Sequence, residues 1–309
     1  MRTARLRPSH DRIRDGGAHM LVTDAQVHMY AAETPARPWP HEGRGAPPAK
    51  HARSFTAEEM LGAMEAVGVD RAVIVPPVWA GEEHNNAHAL AAAERYPGRF
   101  AVFGRLDPYD PTSPERLEHW LETPHMLGIR MSGRWNTTPT IAVDAFADPA
   151  LEWYWTACER LGIPLMLLTS QHVAKLAPIA ARHPNLNLIV DHLSAVLGGT
   201  HTVAESFAAI DDLVELARYP QVTVKVGNGP NQSCEAYPFT DVHPYLRRLY
   251  DAFGAQRLMW EADITQLTKN TYAECVRLWQ EGLPFLTADD KDWILGRTAA
   301  EVLRWPEPV

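Results

Sequence analysis

The sequence predicts a single-domain (β/α)8 TIM barrel over residues 20–309, and three observations predict it. Eight short apolar runs recur along the chain, helix-patterned stretches separate them, and no glycine-rich phosphate turn follows the first run. Strict strand-helix alternation implies parallel strands, because each return needs a right-handed crossover helix. Eight repeats close as a barrel. An open doubly wound sheet would carry its glycines after the first strand, where DAQVHMYAAETP has none.

The predicted strands are 21–28 (LVTDAQVH), 71–76 (RAVIVP), 100–105 (FAVFGR), 127–131 (LGIRM), 164–168 (PLMLL), 187–192 (NLIVDH), 221–226 (QVTVKV) and 257–263 (RLMWEAD). Between them TAEEMLGAMEAVG, DPALEWYWTACERLG and VAESFAAIDDLVELARYP place apolar residues at three-to-four spacing after a polar first turn. Gly68, Gly162, Pro184 and Pro220 stand where helices must stop before the next strand. Residues 31–55 contain five prolines and are too long for an ordinary connection, so they are expected to fold over the barrel mouth as a lid. Residues 1–19 lack apolar periodicity and read as a disordered extension outside the barrel.

The 309 residues are 46% apolar with formal net charge −9, which argues against nucleic acid and anionic lipid and for a small-molecule partner. No run approaches the roughly 18 apolar residues of a membrane span, and the first 20 residues carry five Arg without a signal-peptide core. A cytoplasmic location is the expectation. Cys158, Cys234 and Cys275 form no CxxC pair, so neither a disulfide framework nor a thiolate zinc site is indicated.

In such a barrel the chemistry lies at the C-terminal strand ends. Asp24, Gln26 and His28 alternate on the first strand and are expected to point inward together. The sixth strand ends in Asp191-His192 and the eighth in Glu261-Ala262-Asp263. Arg130 lies on the fourth strand, Lys225 on the seventh, and the second runs into Trp79. His28, His192 and Asp263 therefore converge on one point, as acid–base work or metal ligation requires.

With TDAQVHMY on strand 1, GIRM on strand 4, RHPNLNLIVDHL around strand 6, VTVKV on strand 7 and RLMWEADIT on strand 8, the chain resembles the amidohydrolase superfamily. The resemblance is to its amidohydrolase-related (amidohydrolase 2) branch, which includes lactonases of the 2-pyrone-4,6-dicarboxylate type and aromatic-acid decarboxylases. It covers about residues 20–305. The family's first strand reads His-x-His where a metal is bound, and here the first position is Gln26, an amide that is a poor partner for zinc. The family's strand-5 histidine is also missing, since His172 comes four residues after PLMLL. The resemblance thus implies a cofactor-free site, with one divalent metal (Zn or Mn) held by His28, His192 and Asp263 as the alternative.

The lactonase resemblance implies that Asp263 activates water while His28 and His192 polarise the carbonyl of a cyclic ester. Arg130 is the candidate for a substrate carboxylate, or else a structural ion pair. Gln26, Trp79, Lys225 and Glu261 complete the expected substrate pocket, and Trp135 is a further candidate wall. Glu261 stands where the resemblance predicts glycine, and an internal Lys225–Glu261 ion pair is expected to leave Asp263 ionised. His84 and His88 have the spacing of a helical metal pair but read as surface residues, with Asn85 and Asn86 as caps of that helix. His243, Asn228, Gln232 and Tyr237 lie near the mouth.

The reading is a hydrolase of a small, carboxylated or cyclic-ester substrate. A divalent-metal decarboxylase of an aromatic or unsaturated acid is the first rival, and a non-catalytic small-molecule-binding barrel the second. Trp153-Tyr154-Trp155 serves either as a homo-oligomer patch or as core packing.

Overall fold

The computed structural model describes residues 21–32, 34–35, 54–77, 82–132, 134–138, 141–196 and 201–305. The strands in chain order are β1 Thr23–Val27, β2 Arg71–Ile74, β3 Phe100–Gly104, β4 Met126–Ser132, β5 Arg134–Thr138, β6 Ile141–Asp144, β7 Leu165–Leu168, β8 Leu188–Val190, β9 Val222–Lys225 and β10 Leu258–Met259. Eight of them form one sheet in the order β1-β2-β3-β4-β7-β8-β9-β10, each paired in parallel with its neighbour. Two backbone bonds close it: Ala25 N–H to Trp260 O at 3.1 Å and Asp263 N–H to Gln26 O at 3.2 Å. The architecture is the expected (β/α)8 barrel, with the eight predicted runs as its strands. An antiparallel hairpin, β5–β6, is inserted after β4 where only a loop is expected.

The period of two divides each strand between two environments. Val73, Ala101, Phe103, Met166, Ile189 and Met259 pack inside the barrel with Ala25, over Leu303 and Trp305. The residues between them, such as Ala72, Val102, Leu165, Leu188 and Val224, pack against the helices. Continuing the inward series up β4, β8, β9 and β10 reaches Arg130, Asp191, Lys225, Glu261 and Asp263. A one-residue frame in four apolar strands thus delivers five charged groups to one end of the barrel.

β1 breaks this rule. Its register shifts between Asp24 and Val27, a bulge that corrects the expectation of Asp24, Gln26 and His28 on one face. Ala25 lies inside, and Asp24 turns away to accept from Gln26 N (3.1 Å), Ala262 N (3.0 Å) and the Tyr272 hydroxyl (3.0 Å). Asp24 therefore fastens β1 to the β10 exit, while Gln26 and His28 face the site.

Helix ends follow the sequence signals. Thr56 and Glu59 exchange the two bonds of a capping box before helix Ala57–Val67, and Gly68 ends it at φ 73°. Gly162 does the same for helix Glu152–Leu161 at φ 66°. The stretch VAESFAAIDDLVELARYP is broken into Val203–Ser206 and Ile210–Glu215 rather than continuous. Tyr154 and Trp155 are fully buried and Trp153 packs on the same core, so the aromatic stretch is core packing and not an exposed oligomer patch. Among the described residues no helix is long and apolar enough to cross a membrane. Residues 1–19, Trp79 and most of the expected lid lie outside the described residues.

Candidate active site

Two of the site residues sit on left-handed backbone. His192, just past β8, has φ 52° and ψ 39°, and Asp263, past β10, has φ 49° and ψ 53°. Such conformations cost a non-glycine residue about 1 kcal/mol or more and are kept where geometry matters. Each aims its side chain back across the mouth instead of along the strand. Next to them β9 must pass very close to β10. A Cβ on Gly227 would fall 1.5 Å from the carbonyl oxygen of Glu261, so only glycine fits there.

The side chains meet around the carboxamide of Gln26. Its Nε2 lies 3.0 Å from His192 Nε2, 3.5 Å from His28 Nε2 and 3.5 Å from Asp263 Oδ2. Its Oε1 accepts from Lys225 Nζ. Lysine has only donors, so the amide orientation is fixed: oxygen to Lys225, nitrogen to the histidines. His192 Nδ1 lies 3.0 Å from Glu261 Oε1, and His28 Nδ1 lies 2.6 Å from the carbonyl of Val75. A carbonyl only accepts, so His28 carries its hydrogen on Nδ1 and turns a bare Nε2 to the site, 3.6 Å from Asp263 Oδ1. The donor role expected of His28 is thereby corrected, because that nitrogen accepts. Asp263 Oδ1 has no hydrogen-bond donor among the described residues.

Beneath this layer runs a second one of full charges. Arg130 Nε donates to Asp191 Oδ2 at 3.0 Å, and Lys225 Nζ lies 2.8 Å from Asp191 Oδ1 as a charge contact without hydrogen-bond alignment. Lys225 and Glu261 are not paired, which overturns the expected ion pair. The inward neighbour of Lys225 on β8 is Asp191, so the ammonium is neutralised there, and Glu261 is left to His192. Arg130 is thus an ion-pair partner with, among the described residues, one of its five donors engaged, and Asp191, named in the sequence only as the neighbour of His192, is the counter-charge of Arg130 and Lys225.

Burial sets the protonation states. It lifts the Asp263 carboxyl to about 6, with Glu261 adding to the rise and His192 opposing it. It lowers His28 to about 3, helped by the Arg130 charge, so His28 is neutral. For His192 burial pulls down, but the carboxylates of Glu261 and Asp263 raise it above an ordinary imidazole. Burial alone would raise Asp191, yet Lys225 and Arg130 hold it well below the usual carboxylate range.

The alternative metal set His28, His192 and Asp263 does converge, but around an amide nitrogen. An N–H face repels a cation, and turning the amide over would set its nitrogen against the Lys225 ammonium. Among the described residues no group of three or more His, Cys, Asp or Glu is spaced to hold a metal ion. The donor set does not fit one.

Other expected residues are elsewhere. Asn86 does not cap its helix; it exchanges two bonds with the backbone of Arg105, at 2.7 and 2.9 Å. His243 Nε2 binds the carbonyl of Pro238 at 2.7 Å, and Asn228 is buried, accepting from Gln232. Tyr237 lines a surface hollow of about 490 Å³ with Ser233, Glu235, Lys269 and Asn270, apart from the strand-end cluster. The side chains of His84, Asn85 and Trp135 lie outside the described residues, so the His84–His88 spacing has no geometry to report.

Residues 19–305 match the family model described as amidohydrolase. The chain belongs to the amidohydrolase family. Among curated relatives, an L-fucono-1,5-lactonase from Burkholderia ambifaria is 27% identical over 246 residues, 78% of this chain and 79% of that protein. Among solved structures, an amidohydrolase from Burkholderia multivorans with bound zinc superposes with TM-score 0.75 at 22% identity, covering 93% of this chain and all of that one. A probable 2-pyrone-4,6-dicarboxylic acid hydrolase from Acinetobacter baumannii, with citric acid bound, gives TM-score 0.72 at 16% identity, with 93% and 100% covered. This amidohydrolase keeps the family barrel and fills its mouth with a glutamine–lysine pair.

Proposed function

We propose that this amidohydrolase hydrolyses a small cyclic ester, the lactone of a hydroxylated or carboxylated acid, with Asp263 as general base. The observation that carries the proposal is the pair of acceptors Asp263 Oδ1 and His28 Nε2, 3.6 Å apart and beside the Gln26 amide donor. A water between them donates one hydrogen to each and presents its lone pair outward to the substrate carbonyl. As the new C–O bond forms, Asp263 takes the proton, and the oxyanion accepts the Gln26 N–H that is not directed at His192. The ring C–O bond then breaks. The leaving alkoxide receives the proton from Asp263 through His192, which leaves Asp263 ionised and the open hydroxy acid as product. The remaining donors of Arg130 suit a substrate carboxylate or ring hydroxyls.

The names of the relatives support the substrate class, since an L-fucono-1,5-lactone and a 2-pyrone-4,6-dicarboxylate are both cyclic esters. The zinc of the B. multivorans structure has no counterpart in this mechanism, because the residues here do not fit a metal.

The test is proton release from a panel of sugar-acid lactones and pyrone dicarboxylates, with aromatic carboxylic acids alongside, before and after chelator treatment. Lactone opening that survives chelation and disappears in Asp263→Asn is the expected result. Release of carbon dioxide from an aromatic acid with a strict metal requirement would overturn it in favour of a decarboxylase. Tight ligand binding unchanged by Asp263→Asn, with no turnover, would leave a binding protein.

A further inference from the structure

We propose that Lys225 is a positioning residue that sets the protonation of His192 through the Gln26 carboxamide. Its kinetic consequence rests on the hydrolytic reading above, but the hydrogen-bond chain itself does not.

Lys225 is fully buried, with its ammonium between Asp191 Oδ1 and Gln26 Oε1. An ammonium offers hydrogens only, so it takes the amide oxygen and turns the amide nitrogen to His192 Nε2 at 3.0 Å. The amide nitrogen also offers hydrogens only. His192 Nε2 must therefore present its lone pair, and the single ring hydrogen stands on Nδ1, 3.0 Å from Glu261 Oε1. Donation runs one way through four side chains, Lys225 to Gln26 to His192 to Glu261, each 0 to 1% exposed, so bulk water does not compete with any link.

A second proton on His192 would set two N–H groups against each other across 3.0 Å. The amide cannot relieve this by turning over, because its nitrogen would then face Lys225. Two influences thus act on one imidazole. Glu261 and Asp263 favour the proton, and the Lys225–Gln26 pair withholds it until the reaction supplies one. When the proton passing from Asp263 to the leaving alkoxide reaches His192, it sets two N–H groups against each other at Nε2, which drives the proton onward.

The experiment is nitrogen NMR of the full-length enzyme labelled at histidine, with the His192 signals assigned by a His192→Gln variant. At pH 7 the wild type is expected to show Nδ1 protonated and Nε2 bare. Lys225→Met, which keeps the length and removes the donor, is expected to let the amide turn and to protonate Nε2. In the same variant kcat should fall by about tenfold or more, with KM within about threefold. Placed in a Gln26→Leu background, Lys225→Met should change the His192 spectrum no further. A wild-type Nε2 already protonated at pH 7 overturns the proposal, as does an equal Lys225→Met effect without Gln26. If Lys225→Met does not fold, the wild-type spectrum alone decides. A failure of lactone hydrolysis leaves these spectra untouched, so the two failures are distinguishable.

Discussion

Glu261 Oε1 lies 3.0 Å from His192 Nδ1, and both side chains are sealed from solvent. A carboxylate on the far nitrogen raises the proton affinity of the near one, and with no water to screen it the effect is large. Glu261 thus acts on the reaction through His192 without touching substrate.

Glu261→Gln keeps the hydrogen-bond shape and removes the charge. We expect kcat to fall about 100-fold with little change in KM, measured by steady-state lactone hydrolysis.

The Asp263 carboxyl, raised to about 6, must be ionised to take a proton from water. Activity is therefore expected to rise with pH through about 6 and level off above it, in a kcat/KM profile on any substrate found. Asp263→Asn should lose about 1000-fold and abolish that limb.

Asp24 is raised to about 7 by burial from its ordinary 3.8. The folded state then holds this proton more tightly than the unfolded one, so its contribution to stability is lost as pH rises from about 4 to about 7. Asp24→Asn keeps an oxygen for the two backbone donors and does not titrate. It should be about 2 to 4 kcal/mol more stable relative to wild type at pH 8 than at pH 4, read from urea unfolding at both values.

Asp191 is the counter-charge of Lys225 and Arg130. Asp191→Asn leaves two buried cations without it, at a cost of about 3 to 5 kcal/mol, and a melting curve should show the loss directly.

Gly227→Ala places a methyl carbon 1.5 Å from the backbone oxygen of Glu261. Backbone on both sides leaves nothing to yield, so the variant should lose several kcal/mol or fail to fold, measured as soluble yield and thermal stability.

The eight strands were legible because each is a short apolar run bounded by glycine, proline or a polar turn. The strand period alone placed Arg130, Asp191, Lys225, Glu261 and Asp263 at one end. What the period could not reveal was partner choice. Lys225 has Glu261 to one side and Asp191 to the other, and the preference depends on side-chain reach across β8 and β10. Asp24 was misplaced because a bulge adds one residue to the frame, and its sequence, TDAQV, contains no glycine to announce it. The inverted polarity of His28 followed from a backbone carbonyl on β2's exit, which no side-chain pattern encodes. The hairpin β5–β6 was missed because RWNTTPTIAVD reads as a polar loop.

The barrel closes through Ala25 with Trp260 and Gln26 with Asp263, pairs about 235 residues apart in the chain. During synthesis the first strand emerges long before its partner exists, so it must wait with an open edge until nearly the whole polypeptide has left the ribosome. That junction is also the one that brings Gln26 to Asp263. A chain truncated before β10 lacks Glu261, Asp263 and the strand that closes the barrel, so it holds no assembled active site.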